Sequence, residues 1–232
     1  MPSASLPVSP SVSSIVLSNG QRRLLQQKIH VAPGAYASSG LDVRARFASG
    51  WSAAIETARL LGGLPESALL WWAKQPNGHL LLTPADDSYA AVLSTDVLSV
   101  DGETWEGVAG LPLAWLLDDE SARSLAAILR PLDHLLGCGG VAEGRWLSGG
   151  GGISPRWQHI GAQIAALFPL GYGASEASRQ DPHRYLAEGL ALALTDRQQL
   201  NVNDPKLERL LLASILSDRF WRHFQAESEV GR

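Results

Sequence analysis

The sequence predicts an α+β fold, a small N-terminal mixed sheet with helices followed by a C-terminal helical half, and three observations lead there. Up to about Gly110, short strand-like runs are mixed with a helical segment. After Leu116 each apolar segment repeats with a period near 3.6 and has its own start or stop signal, so strands and helices segregate along the chain and are expected to pack as layers. A length of 232 residues with 45% apolar content is enough to bury a sizeable core in one domain. The expected organisation is a disordered Ser/Pro-rich tail over 1–14 and a single domain over 15–232, with a mixed α/β half (15–117) and a helical half (118–226).

In the mixed half, "SIVL" and "VRARF" read as short strands, and "SAAIETARLL" as a helix that stops at Gly62-Gly63. "LLWWAKQPNGHLLL" places Asn77-Gly78 between two apolar runs, a hairpin signal, and "AAVLSTDVLSV" and "ETWEGV" continue as strands. The helical half should hold four helices. The first runs from about Asp119 to Leu136, capped by Asp118 or Asp119 and stopped by Gly137; the second covers Pro155 to about Phe168. The third and fourth begin at "DPHRYLAEGLALAL" and "DPKLERLLLASILSDRFWRHF", each with Asp as N-cap (Asp181, Asp204) and Pro at the first helical position (Pro182, Pro205). Between the first two lies "EGRWLSGGGGIS", read as a flexible loop; no Lys-Ser/Thr follows its glycines, so it is not a phosphate cradle. The tryptophans are scattered without period and read as core anchors.

Composition narrows the function classes. A formal net charge of −4 without any Lys/Arg block argues against a nucleic-acid or anionic-membrane surface, which needs clustered positive charge. The one cysteine, Cys138, rules out an intrachain disulfide and a multi-cysteine metal knuckle and suits a reducing compartment. No run approaches the roughly 18 apolar residues that span a bilayer, and the N-terminus has no charged start before an apolar stretch. A cytoplasmic protein without nucleic-acid or membrane partners is expected.

The segment "SLAAILRPLDHLLGCGG" (124–140) holds the chemical question. Leu125, Ile128, Leu129, Leu132, Leu135 and Leu136 form one apolar stripe, with Arg123, Ala127, Arg130 and His134 on the opposite face. Pro131 should kink the helix by removing a hydrogen bond to the carbonyl of Ala127. "AAILRPLDHLLG", then "GYG" at 171–173, then "DPHRYLAEGLALAL" resembles the lethal-factor-like branch of the zincin metallopeptidases, in which a helix HExxHxxDxxxG precedes a Tyr-Gly segment and a helix where an acidic residue directly precedes FFAEAF. On this alignment Asp133 and Gly137 keep the motif's Asp and Gly, Tyr172-Gly173 falls at the Tyr-Gly segment, and "YLAEGL" (185–190) matches the second helix. The resemblance covers about residues 118–215.

The departures carry the functional expectation. The resemblance implies two imidazoles at i and i+4, a glutamate beside the first as general base, and a carboxylate from the later helix to complete the zinc site. Those positions are Ala126 and Arg130, Ala127, and Arg184. Arg cannot ligate zinc because it stays protonated. Tyr172, which the family uses to polarise the reacting carbonyl, is kept, and Glu188 matches the second acidic residue of the later helix. Arg184 and Glu188, spaced i, i+4, fit a surface ion pair or two residues lining a former cleft. The expectation is a pseudoenzyme without metal or cofactor that binds a protein or peptide, with His134, His183 and Glu188 as cleft candidates. Two alternatives stay open: an active zinc hydrolase with rearranged ligands built on His134, Cys138 and His183, and an unrelated small-molecule-binding or structural domain.

Overall fold

The computed structural model describes residues 16–84, 88–93, 104–117 and 121–230. The tail over 1–14, the cap residues Asp118 and Asp119 and the end of the "AAVLSTDVLSV" strand lie outside the described residues. The fold is mixed α+β and mostly helical, with a four-stranded sheet.

Ser14 and Ile15 of "SIVL" lie outside the described residues, and Val16 and Leu17 are not in a strand but lead into helix α1 (Asn19–Lys28). Ser18 caps it, accepting from the Gln21 amide while the Gln21 side chain accepts from the Ser18 N–H. Strand β1 (Ile29–Val31) follows, then α2 (Ala35–Ser38) and α3 (Leu41–Arg46). Helix α3 replaces the strand expected at "VRARF". Alternation required Ala45 to be buried beside Val43 and Phe47, but Ala45 is exposed and the buried pair is spaced i, i+4, as a helix requires. Asp42 in its first turn and Arg44 and Arg46 in its last also complement the helix dipole.

Helix α4 (Gly50–Leu60) occupies the expected segment and passes through a 3-10 turn at Leu61–Gly63. Helix α5 (Glu66–Lys74) and strand β2 (His79–Thr83) replace the expected hairpin. Leu69, Trp72 and Ala73 are buried at i, i+3 and i+4, so the first arm is a helix. Asn77-Gly78 is then a helix-to-strand turn, with Gly78 at φ +80° and its carbonyl accepting from Trp72 Nε1 at 2.8 Å.

Strands β3 (Ser88–Leu93) and β4 (Trp105–Pro112) complete a sheet of order β1-β2-β4-β3, with β1, β2 and β4 parallel and the edge strand β3 antiparallel to β4. Leu80, Leu82, Ala109 and Leu111 turn one face of the sheet to the main core, and Leu81 and Val108 form a smaller cluster on the other.

Helix α6 (Ser121–Cys138) packs against β4 and along α9 (Pro182–Thr195). Its leucine stripe is fully buried, but so are Ala127, Asp133 and His134, so the helix is covered on nearly every side and His134 is not on a solvated face. Gly137 does not stop it. A Cβ there would lie 2.3 Å from the Leu147 amide nitrogen, so this glycine lets the following loop cross the helix, and Gly139 and Gly140 at φ +74° and +80° end it. The "GGGG" loop is also tightly packed. Leu147 N–H donates to the Asp133 carbonyl and Ile153 N–H to that of Leu136, and a Cβ on Gly151 would fall 1.9 Å from the Arg145 carbonyl oxygen.

Helix α7 (Pro155–Leu167) and α9 start at their expected prolines, with Ser154 and Asp181 as caps. The short helices α8 (Glu176–Gln180) and α10 (Arg197–Asn203) were not foreseen. The last expected helix is two, α11 (Pro205–Ala213), capped by Asp204, and α12 (Asp218–Val230), separated by a turn in which Leu216 N–H bonds the Leu211 carbonyl. The break swings Trp221 onto Trp157 and Trp71. Trp72, Trp157 and Trp221 are core anchors, as expected, whereas Trp51 is 55% exposed.

Candidate functional site

The two helices that the motif pairs lie side by side, and between them opens a cavity of about 590 Å³. Alpha helix α6 contributes Ala122, Arg123, Ala126, Ala127 and Arg130, and α9 contributes Arg184, Ala187, Glu188 and Leu192. These residues recur at three- and four-residue intervals, which places them on the facing sides of both helices. Trp115, from the 3-10 turn before α6, Ala174 and Ser175 at the start of α8, and Gln199 of α10 complete the lining. Ala126, Ala127, Arg130, Arg184 and Glu188 are thus brought into one cavity. Methyl groups and guanidiniums stand at the four positions where the resemblance implies metal ligands and base, and this donor set does not fit zinc. Tyr172 is half-exposed and does not line the cavity, although Ala174 and Ser175, just after it, do.

The cavity's charges are individually positioned. Arg123 stacks over the Trp115 ring at 3.8 Å. The Arg184 Nε lies 3.9 Å from Asp181 Oδ2, so the ion pair found for it runs back to the helix cap and not forward to Glu188. Arg130 places its guanidinium 5.9 Å from the Tyr89 ring of the edge strand.

His134 and His183 belong to a second cluster beside the cavity. His134 Nε2 lies 2.8 Å from the Val141 carbonyl oxygen, which can only accept, so Nε2 carries the proton and Nδ1 accepts from the Tyr89 hydroxyl. Burial first of all lowers the His134 pKa and holds the ring neutral. The same burial raises the pKa of the Tyr89 hydroxyl, which therefore stays a donor. The ring stacks on Trp146 at 4.6 Å, and Trp146 also touches His183 at 4.1 Å.

His183 is held by a two-step relay. The buried Asp133 accepts from the Ser148 amide at 2.8 Å and from the Ser148 hydroxyl at 2.6 Å. Having given its one proton to Asp133, Ser148 Oγ must accept from His183 Nδ1, 2.8 Å away, which leaves Nε2 as the acceptor nitrogen of a partly exposed ring. Ser148 is fully buried and donates to the carboxylate rather than to the imidazole, so the trio is not a nucleophilic triad.

The proposed substitute metal site of His134, Cys138 and His183 does not assemble. Both His134 nitrogens are engaged, and the Cys138 thiol, its pKa raised by burial, points to the His134 carbonyl at 3.4 Å. Among the described residues no three His, Cys, Asp or Glu side chains converge on one point. Tyr89, Trp115, Trp146 and Ser148 went unrecognised in the sequence. They reach the site from other elements, and nothing local marks them. Among the described residues no helix is long and apolar enough to cross a membrane. No known protein family, curated protein or solved structure matches the chain.

Proposed function

We propose that this chain is a catalytically inactive relative of the lethal-factor-like zincins, a cytoplasmic protein whose cleft recognises a segment of a protein or peptide partner. One observation carries the reading: Ala126, Ala127, Arg130 and Arg184, the positions where the motif requires ligands and base, line a single cavity between α6 and α9. A chance likeness between two helical sequences gives no reason for these four residues to meet. The cavity lies in the size range of pockets that bind small ligands, and it is open enough to take an extended chain end. Its chemistry argues for binding over turnover, because no side chain at the motif positions can activate a metal-bound water or abstract a proton. The lone, partly buried Cys138 suits a reducing compartment.

The test joins metal analysis to binding. The purified chain should carry no stoichiometric zinc and cleave no peptide in a chelator-sensitive way, while degenerate peptide pools should raise its melting temperature. Zinc near one equivalent, lost with a peptidase activity on adding a chelator, would overturn the reading in favour of a rearranged hydrolase.

A further inference from the structure

We infer that the cavity between α6 and α9 binds a carboxylate of its peptide ligand through Arg184, an inference that rests on the recognition function proposed above. Among the described residues that line the cavity, the charged ones are Arg123, Arg130, Arg184 and Glu188. The planar guanidinium fork matches the two oxygens of a carboxylate and can bind it in bidentate fashion, which a lysine could not do.

The intrachain partner of Arg184 does not compete strongly. Its pair with Asp181 is long, at 3.9 Å, with side chains 48% and 36% exposed, so water screens it and a ligand in the cavity can displace it. Arg123 rests its flat face on Trp115, an arrangement that leaves the N–H edge of a guanidinium for an oxyanion. Glu188 sets the rest of the ligand's chemistry. A carboxylate in the lining repels a dianion more than a monoanion and accepts a hydrogen bond from an amide N–H. A peptide brings both a monoanionic carboxylate and N–H donors, whereas inorganic phosphate brings no amide. The methyl walls of Ala126, Ala127 and Ala187 suit short aliphatic side chains.

The carboxylate can come from a chain terminus or from an Asp or Glu side chain, and the probes separate the two. Isothermal titration calorimetry of the full chain would use three pools of acetylated tetrapeptides degenerate in Ala, Leu, Ser and Gln: one ending in a free acid, one in an amide, and one amidated with a single Glu. Inorganic phosphate would be titrated alongside. The free-acid pool or the Glu pool, or both, should bind at least tenfold more tightly than the plain amide pool. Arg184→Gln should remove that preference without lowering the melting temperature, and Arg184→Lys should restore only part of it. Equal binding of all three pools would overturn the carboxylate inference and leave peptide recognition standing. Phosphate binding with silent acid pools would also overturn it, and silence of every probe would bring down both readings.

Discussion

Replacing Asp133 by asparagine should invert the direction of the hydrogen-bond chain that ends on His183. In the native protein the carboxylate accepts twice from Ser148, and Ser148 Oγ in turn accepts from His183 Nδ1. An asparagine can keep the Ser148 amide bond through its carbonyl, but its NH₂ must then donate to Ser148 Oγ. The hydroxyl proton turns to His183 Nδ1, and the imidazole proton moves to Nε2. The variant exchanges bonds to a charged acceptor for neutral ones, a difference of about 1–2 kcal/mol. Asp133→Ala is harsher. The buried Ser148 N–H loses the carboxylate that accepts from it, at about 1–3 kcal/mol, and a second charge-assisted bond is partly recovered by the redirected hydroxyl, so a loss of about 3 kcal/mol is expected. Urea unfolding measures the stabilities, and long-range ¹H–¹⁵N correlation spectra of the imidazoles report the tautomer. An alanine variant within about 0.5 kcal/mol of the wild type, or a His183 tautomer unchanged in Asp133→Asn, would refute the reasoning.

Acid should weaken the fold through the sheet edge. His30 and His79, 3.1 Å apart, both have pKa values lowered to about 4, chiefly by burial and then by Lys28. Between pH 6.5 and about 4 the unfolded chain therefore takes up protons that the folded chain refuses. Stability is full above pH 6.5 and falls on acidification, by up to about 3 kcal/mol for each ring; the loss of unfolding free energy between pH 7 and pH 4.5 should shrink in His30→Asn/His79→Asn. The glycine loop should behave as packed structure: Gly161→Ala, whose Cβ would meet the Gly151 carbonyl oxygen at 2.1 Å, should cost about 2–3 kcal/mol, whereas Gly149→Ala, with its nearest neighbour at 3.5 Å, should stay within about 0.5 kcal/mol of the wild type in the same unfolding assay.

What the sequence made legible were features whose cause is local. Asp181-Pro182 and Asp204-Pro205 announce helix starts because cap and first-turn preferences act within three residues, and both side chains accept the expected amides. The leucine stripe of α6 and its partnership with α9 followed from periodicity and motif order. The misreadings arose where one local signal serves two structures. Asn77-Gly78 supplies the positive φ that a hairpin needs, but a helix leaving for a parallel strand uses it equally. Val43 and Phe47 satisfy both periods, and only the exposure of Ala45 separates them. Gly137 reads as a helix stop and the glycines from Gly149 as a flexible loop, while the role of Gly137, Gly151 and Gly152 is to let backbones approach closely, a tertiary demand. His134 was legible as a candidate but not as a buried, doubly bonded ring, because Tyr89 and Trp146 come to it from a strand and a loop.

The central claim is that the cavity between α6 and α9 occupies the place of a zinc site whose ligands have been replaced. The direct measurement is to put those ligands back, in the variant Ala126→His/Ala127→Glu/Arg130→His/Arg184→Glu, and to determine zinc by mass spectrometry after dialysis, with circular dichroism to establish folding. Two histidines one turn apart on α6 and a carboxylate from α9 make three protein ligands of an open tetrahedral site. The folded variant should hold close to one zinc per chain and the wild type none. A folded variant that retains no more zinc than the wild type would contradict the claim.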